Sequence, residues 1–136
     1  MDVDPIVLVV DDEEMTRKLL RLMLERDGFT IIEAEDGLKA LELIKAEMPD
    51  VVILDVMMPN LDGFSTCQEL RSRPETAKLP VIMLSARTQV EAVRAGMNAG
   101  ANRYMTKPIS KPELVQTLQE LIAGVPAPET EPNGLG

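Results

Sequence analysis

The sequence predicts an α/β fold built from five βα units around one parallel sheet. Apolar runs of strand length alternate with longer stretches of helical period, the pattern that repeated βα units produce. Val51 to Leu54 and Val81 to Leu84 are apolar at every position, as strands covered by helices on both faces must be, which places them at the sheet centre. Three strand-like segments also run into charged residues: Ile6 to Val10 into Asp11 and Asp12, Val51 to Leu54 into Asp55, and Asn102 to Thr106 into Lys107. In an open parallel sheet those ends share one edge, where ligands bind.

Taken in order, Ile6 to Val10 is the first strand. The next segment repeats apolar residues at Met15, Leu19, Leu22 and Met23, read as the apolar face of a helix that stops near Gly28. Thr30 to Ala34 is the second strand. After Asp36, the residues Leu38, Leu41 and Ile44 mark a second helix that Pro49 closes. Val51 to Leu54 and Val81 to Leu84 are the third and fourth strands, with a helix from Asp62 to about Ser72 between them. A helix from about Thr88 to Asn98 follows and Gly100 ends it; Asn102 to Thr106 is the fifth strand. The last helix, Pro112 to Ala123, presents Leu114, Leu118, Leu121 and Ile122 to the sheet and turns Gln116, Gln119 and Glu120 away. Residues 1–123 thus form one domain. From Gly124 to Gly136 three prolines and three glycines leave little to bury, and the segment reads as a flexible tail or the start of a linker.

Composition narrows the function. A chain of 136 residues with 45% hydrophobic and 27% charged residues suits one globular domain with a real core. The single cysteine, Cys67, can form no internal disulfide and is expected to pack on a helix. No apolar run approaches the length of a membrane span and the N-terminus lacks the basic start of a signal peptide, so the chain is expected in the cytoplasm. The formal charge of −9 opposes direct binding to nucleic acid phosphates. With no histidine, imidazole metal sites, histidine bases and phosphohistidine on this chain are excluded, leaving carboxylates, lysine and hydroxyls to carry the chemistry.

Asp11 to Glu14 are four consecutive acids. Acids decorate helix N-termini because the macrodipole favours them there. Here the first two follow directly on an apolar strand, so they crowd the sheet edge, where mutual repulsion calls for a cation. Mg²⁺ takes oxygen ligands and commonly uses one or two carboxylates while keeping several waters. Asp55 supplies a further oxygen if the first and third strands are neighbours, about 4.8 Å apart. Lys107 belongs to a strand expected two places from the third, roughly 10 Å across the sheet, a gap that a lysine leaning inward can largely close. Ser85 offers a hydroxyl at the same edge, either to the site or as a helix cap.

Four motifs in order, Val-Val-Asp-Asp at 9 to 12, Asp-Val-Met-Met-Pro-Asn-Leu-Asp-Gly at 55 to 63, Met-Leu-Ser-Ala at 83 to 86 and Gly-Ala-Asn-Arg-Tyr-Met-Thr-Lys-Pro at 100 to 108, make the chain resemble the receiver domain of two-component response regulators, of the chemotaxis-receiver kind. The resemblance covers about residues 5 to 123. It implies a doubly wound, flavodoxin-like (βα)5 sheet of order 2-1-3-4-5, with Asp55 as phosphoacceptor. It further implies Asp12, Asp55 and the Met57 carbonyl as direct Mg²⁺ ligands, Asp11 as a ligand through water, Lys107 as the neutraliser of phosphoryl charge, and Ser85 with Tyr104 as a switch pair. A cis Lys107–Pro108 bond is also implied.

A carboxylate can accept a phosphoryl group when cations offset the repulsion between anions. Such a domain would catalyse its own aspartyl phosphorylation and slow dephosphorylation while acting mainly as a switch. The donor histidine must then come from a sensor histidine kinase or a phosphotransfer protein. The resemblance also implies a downstream protein partner on the surface from about Thr88 to Ala123, and phosphorylation would allow a dimer. A phosphatase of the haloacid dehalogenase type would need a second aspartate where this chain has Met57, and a flavin or nucleotide carrier would need a glycine-rich loop where this chain has acids. The alternative kept is a receiver cut from a longer regulator with a separate output domain.

Overall fold

β1 (Ile6–Val10) lies between β2 (Thr30–Ala34) and β3 (Val51–Leu54); β4 (Val81–Ser85) and β5 (Arg103–Thr106) follow on the far side of β3. In this computed structural model, which describes residues 4–124, all four pairings are parallel and the order is β2-β1-β3-β4-β5, as the resemblance implies. The proposed tail from 125 onward lies outside the described residues. The register puts Val10 beside both Ala34 and Leu54, and Ser85 beside Thr106, so the strand ends share one edge.

Five helices alternate with the strands: α1 (Glu14–Glu25), α2 (Gly37–Ala46), α3 (Gly63–Ser72), α4 (Val90–Ala99) and α5 (Lys111–Ile122). Val7 and Val9 of β1 join a core cluster with Leu20 and Leu24 of α1 and Leu114, Leu118 and Leu121 of α5. Leu8 and Val10 join a second cluster with Leu41, Ile44, Cys67, Leu70 and Ala99 from α2, α3 and α4. Both faces of the strand are therefore dry, which is why the central strands lack polar alternation. Cys67 is buried in α3, as expected. Among the described residues no helix is long and apolar enough to cross a membrane.

The first helix departs from the sequence reading. Leu20 and Leu24 turn inward, while Met15, Leu19 and Leu22 are 77%, 51% and 61% exposed. At 100° per residue the two sets lie on opposite sides, and periodicity alone does not say which side meets the sheet. Polar contacts agree with the observed choice. Arg17 and Arg21 grip Glu33 of β2 at 3.0 and 2.6 Å, and Arg17 also donates to the Asp11 carbonyl at 2.7 Å. Burial pushes the Glu33 carboxyl upward, but the bonds from Arg21 and Arg17 outweigh it and hold it below the usual carboxylate range. Leu38 and Ile122 are likewise 56% and 37% exposed, and Ala40 takes the inner place in α2. β4 gains Ser85, β5 begins at Arg103, and α4 starts at Val90 rather than near Thr88.

α4 ends at Gly100, whose φ of 111° favours glycine and where a Cβ would stand 2.7 Å from Arg71 Cγ. Arg71, reaching over from α3, donates to the carbonyls of Gly100, Thr76 and Leu79 and to Asn102 Oδ1, which also accepts from the Val81 N–H. One guanidinium thus ties the starts of β4 and β5 to the end of α4.

Candidate active site at the sheet edge

The backbone ladder continues past the strands and holds the site residues in place. Asp11 N–H donates to Ala34, Asp55 N–H to Val10, and Lys107 N–H to the Ser85 carbonyl, at 3.1, 2.9 and 2.9 Å. One oxygen from each of Asp11, Asp12 and Asp55 lies within 4.8 Å of the others. Lys107 reaches back from the end of β5, past β4, and places its ammonium 3.2 Å from Asp11 Oδ2 and 4.0 Å from Asp55 Oδ1. The Lys107–Pro108 bond is cis. Asp12, Glu13, Asp55, Met57, Ser85, Ala86, Arg87 and Lys107 line one open cavity of about 280 Å³.

Asp11 and Asp55 are 3% and 8% exposed, and Asp12 faces solvent. Burial, followed by repulsion from Asp11, pushes the Asp55 carboxyl up to about 6 despite the opposing pull of Lys107 and the Val56 N–H. One ammonium therefore does not balance three carboxylates. Clustered hard oxygens with excess negative charge suit a small divalent cation. Gly63 is packed so tightly under this edge that a Cβ would collide with the Asp55 carbonyl oxygen and stand 2.9 Å from Val56 Cα.

Ser85 is buried and caps no helix; its Oγ accepts from the Arg87 N–H at 3.0 Å. Tyr104 is half-buried against Gly96 and Met83, and its hydroxyl donates to the Arg87 carbonyl at 2.9 Å. The two residues that the resemblance implies as a switch pair are thus joined through one residue's backbone. The Arg87 side chain also reaches across the cavity mouth to Met57 Sδ at 3.6 Å. Glu13, which reads in the sequence only as one of four consecutive acids, precedes α1 and lines the cavity. A separate groove of about 220 Å³ between α2 and α3, floored by Leu41, Ile44 and Leu70, holds no such cluster of carboxylates.

The family model described as "Response regulator receiver domain" matches residues 7–119. A relative named Response regulator MprA from Mycobacterium ulcerans (strain Agy99) is 43% identical over 116 residues, covering 85% of this chain and 49% of its own length. The chain spans about half the length of the curated relatives it matches. Among solved structures, a putative response regulator from Chloroflexus aurantiacus J-10-fl superimposes with a TM-score of 0.84 at 37% identity, over 88% of this chain and 98% of that one. Chemotaxis protein CheY4 of Vibrio cholerae gives 0.81 at 32% identity, over 86% and 98%.

Proposed function

The chain belongs to the response regulator receiver family, and on that premise we propose that it is a phosphorylation switch of two-component signalling in which Asp55 accepts the phosphoryl group. The observation that carries this reading is the buried Asp55 carboxylate at the sheet edge, flanked by two further aspartates and by the Lys107 ammonium. An Asp55 oxygen attacks phosphorus in a phosphohistidine of a partner kinase or phosphotransfer protein. The P–N bond breaks, its electron pair leaves with the imidazole, and solvent supplies the imidazole's proton. Lys107 offsets phosphoryl charge as the two anions approach.

Asp12, Asp55 and the Met57 carbonyl would hold Mg²⁺ directly, with Asp11 acting through water. The fit rests on the clustered carboxylate oxygens and on the excess negative charge that raises Asp55. When bound, the ion neutralises developing charge on the phosphoryl oxygens. Ser85 then offers its hydroxyl to the phosphoryl group, and Tyr104 carries the change to the surface of α4, β5 and α5, where a downstream protein reads it. The chain catalyses its own modification by positioning and charge, and acts mainly as a switch.

Incubation with acetyl phosphate and Mg²⁺, followed by intact-mass measurement, is expected to add one phosphoryl group. Equal labelling of Asp55→Asn, or labelling that survives chelation, would overturn the assignment. A second reading, that this receiver works inside a longer regulator with a separate output domain, is favoured by the half-length coverage of its relatives. The length of the natural reading frame tests it.

A further inference from the structure

Asp36, which precedes α2, has two carboxylate oxygens with separate partners. Oδ1 accepts from the Lys39 N–H at 2.9 Å and caps the helix, and Oδ2 accepts from Asn60 Nδ2 at 2.7 Å. A helix cap needs only the first of these bonds. The second reaches 24 residues along the chain into the loop between β3 and α3. Asp36 is 8% exposed, and the Lys39 N–H first and the Asn60 amide second hold its carboxyl below the ordinary range. It is therefore ionised at neutral pH, and the bond to Asn60 is charge-assisted.

The loop it grips is short and tightly turned. Asn60 has φ 67°, in the left-handed region that asparagine tolerates better than most residues. Leu61 N–H donates to the Pro59 carbonyl at 2.7 Å, and Gly63 N–H closes the loop onto Val56 at 2.9 Å. Gly37, next to Asp36, lies flush against the loop, since a Cβ there would collide with Thr66 Oγ1 and stand 2.8 Å from the Leu61 carbonyl oxygen. The stretch from Met57 to Asp62 is thus clamped at its tip by the start of α2 as well as closed at its base by the bond between Gly63 and Val56.

We propose that Asp36 and Asn60 form a latch that positions the loop carrying the Met57 carbonyl for the divalent cation, so that the start of α2 sets the metal affinity of a site to which it contributes no ligand. The latch rests on the reading of Met57 as a metal ligand. Both are positioning residues. A backbone carbonyl cannot change rotamer to meet an ion, so its placement depends on the loop, and supports of this kind commonly change metal affinity by tenfold or more.

Isothermal titration with Mg²⁺ and amide hydrogen exchange of the metal-free chain test the latch together. Asn60→Gly removes the amide donor but keeps the positive φ accessible. It is expected to weaken Mg²⁺ binding by about tenfold and to speed exchange at Met57, Met58 and Leu61, with α3 and the sheet unchanged. The double variant Asp36→Asn with Asn60→Asp inverts donor and acceptor at the same net charge, and keeps a capping side chain. It is expected to recover both wild-type affinity and slow exchange. Wild-type affinity in Asn60→Gly, or a double variant that binds no better than Asn60→Gly, overturns the latch. If instead the wild-type chain binds no Mg²⁺, or Asp55→Asn binds it equally, the metal site itself is wrong and the latch loses its stated role; faster exchange in Asn60→Gly would then mark a structural tie only.

Discussion

Tyr104 donates its hydroxyl to the Arg87 carbonyl at 2.9 Å, while the amide of the same Arg87 donates to Ser85 Oγ at 3.0 Å. The Ser85 hydroxyl can donate its proton to a phosphoryl group while Oγ still accepts from the Arg87 N–H, so a shift of that oxygen is passed to the residue whose carbonyl anchors Tyr104. Ser85→Ala removes the hydroxyl without touching Asp55 or Lys107. It is expected to accept phosphate from acetyl phosphate while showing smaller NMR shift changes at Tyr104. Equal shift changes in both proteins would remove Ser85 from the switch.

Lys107 is closer to Asp11 than to Asp55, so in the resting site its charge serves the neighbour of the proposed acceptor. Replacing it with alanine should leave Mg²⁺ binding intact or stronger, since a competing cation is lost. Labelling by acetyl phosphate should slow by on the order of a hundredfold, the usual effect of losing one charge-stabilising group. Initial rates of mass increase decide the matter; an unchanged rate would take Lys107 out of the transfer.

Asp55 also predicts a pH dependence. Its carboxyl is raised in the fold from 3.8 to about 6, so it binds its proton more tightly folded than unfolded. This contribution to stability is present below about pH 4 and is lost as pH rises through about 6. Metal-free Asp55→Asn is therefore expected to be more stable than wild type at pH 7, by on the order of 2 kcal/mol, with the difference shrinking toward pH 4. Urea unfolding at several pH values measures it. Mg²⁺ added at pH 7 should narrow the gap by stabilising wild type alone.

The lifetime of the phosphorylated state depends on whether a nearby side chain can orient water. Met57 is two residues beyond Asp55, lines the cavity, and meets Arg87 through a thioether that is only a weak acceptor. Met57→Asn places an amide there and is expected to shorten the aspartyl phosphate lifetime, tenfold for each 1.4 kcal/mol or so removed from the barrier. Decay followed by mass after removal of the donor tests this; an equal or longer lifetime would show that water positioning at 57 does not set the rate.

The order of ten elements is legible along the chain from a period of two or 3.6 in the apolar residues, as are the polar or charged residues Asp11, Asp12, Asp55, Ser85 and Lys107 at which strands stop. A parallel sheet then brings those ends to one edge. The tertiary structure decided what periodicity leaves degenerate. α1 carries apolar residues on two sides, and only the reach of Arg17 and Arg21 to Glu33, with Leu20 and Leu24 against β1, selects the side that is buried. The link between Asp36 and Asn60, the shared Arg87 backbone between Ser85 and Tyr104, and the preference of Lys107 for Asp11 join residues far apart in the chain. Such contacts depend on distances across the folded sheet, which no spacing along the sequence encodes.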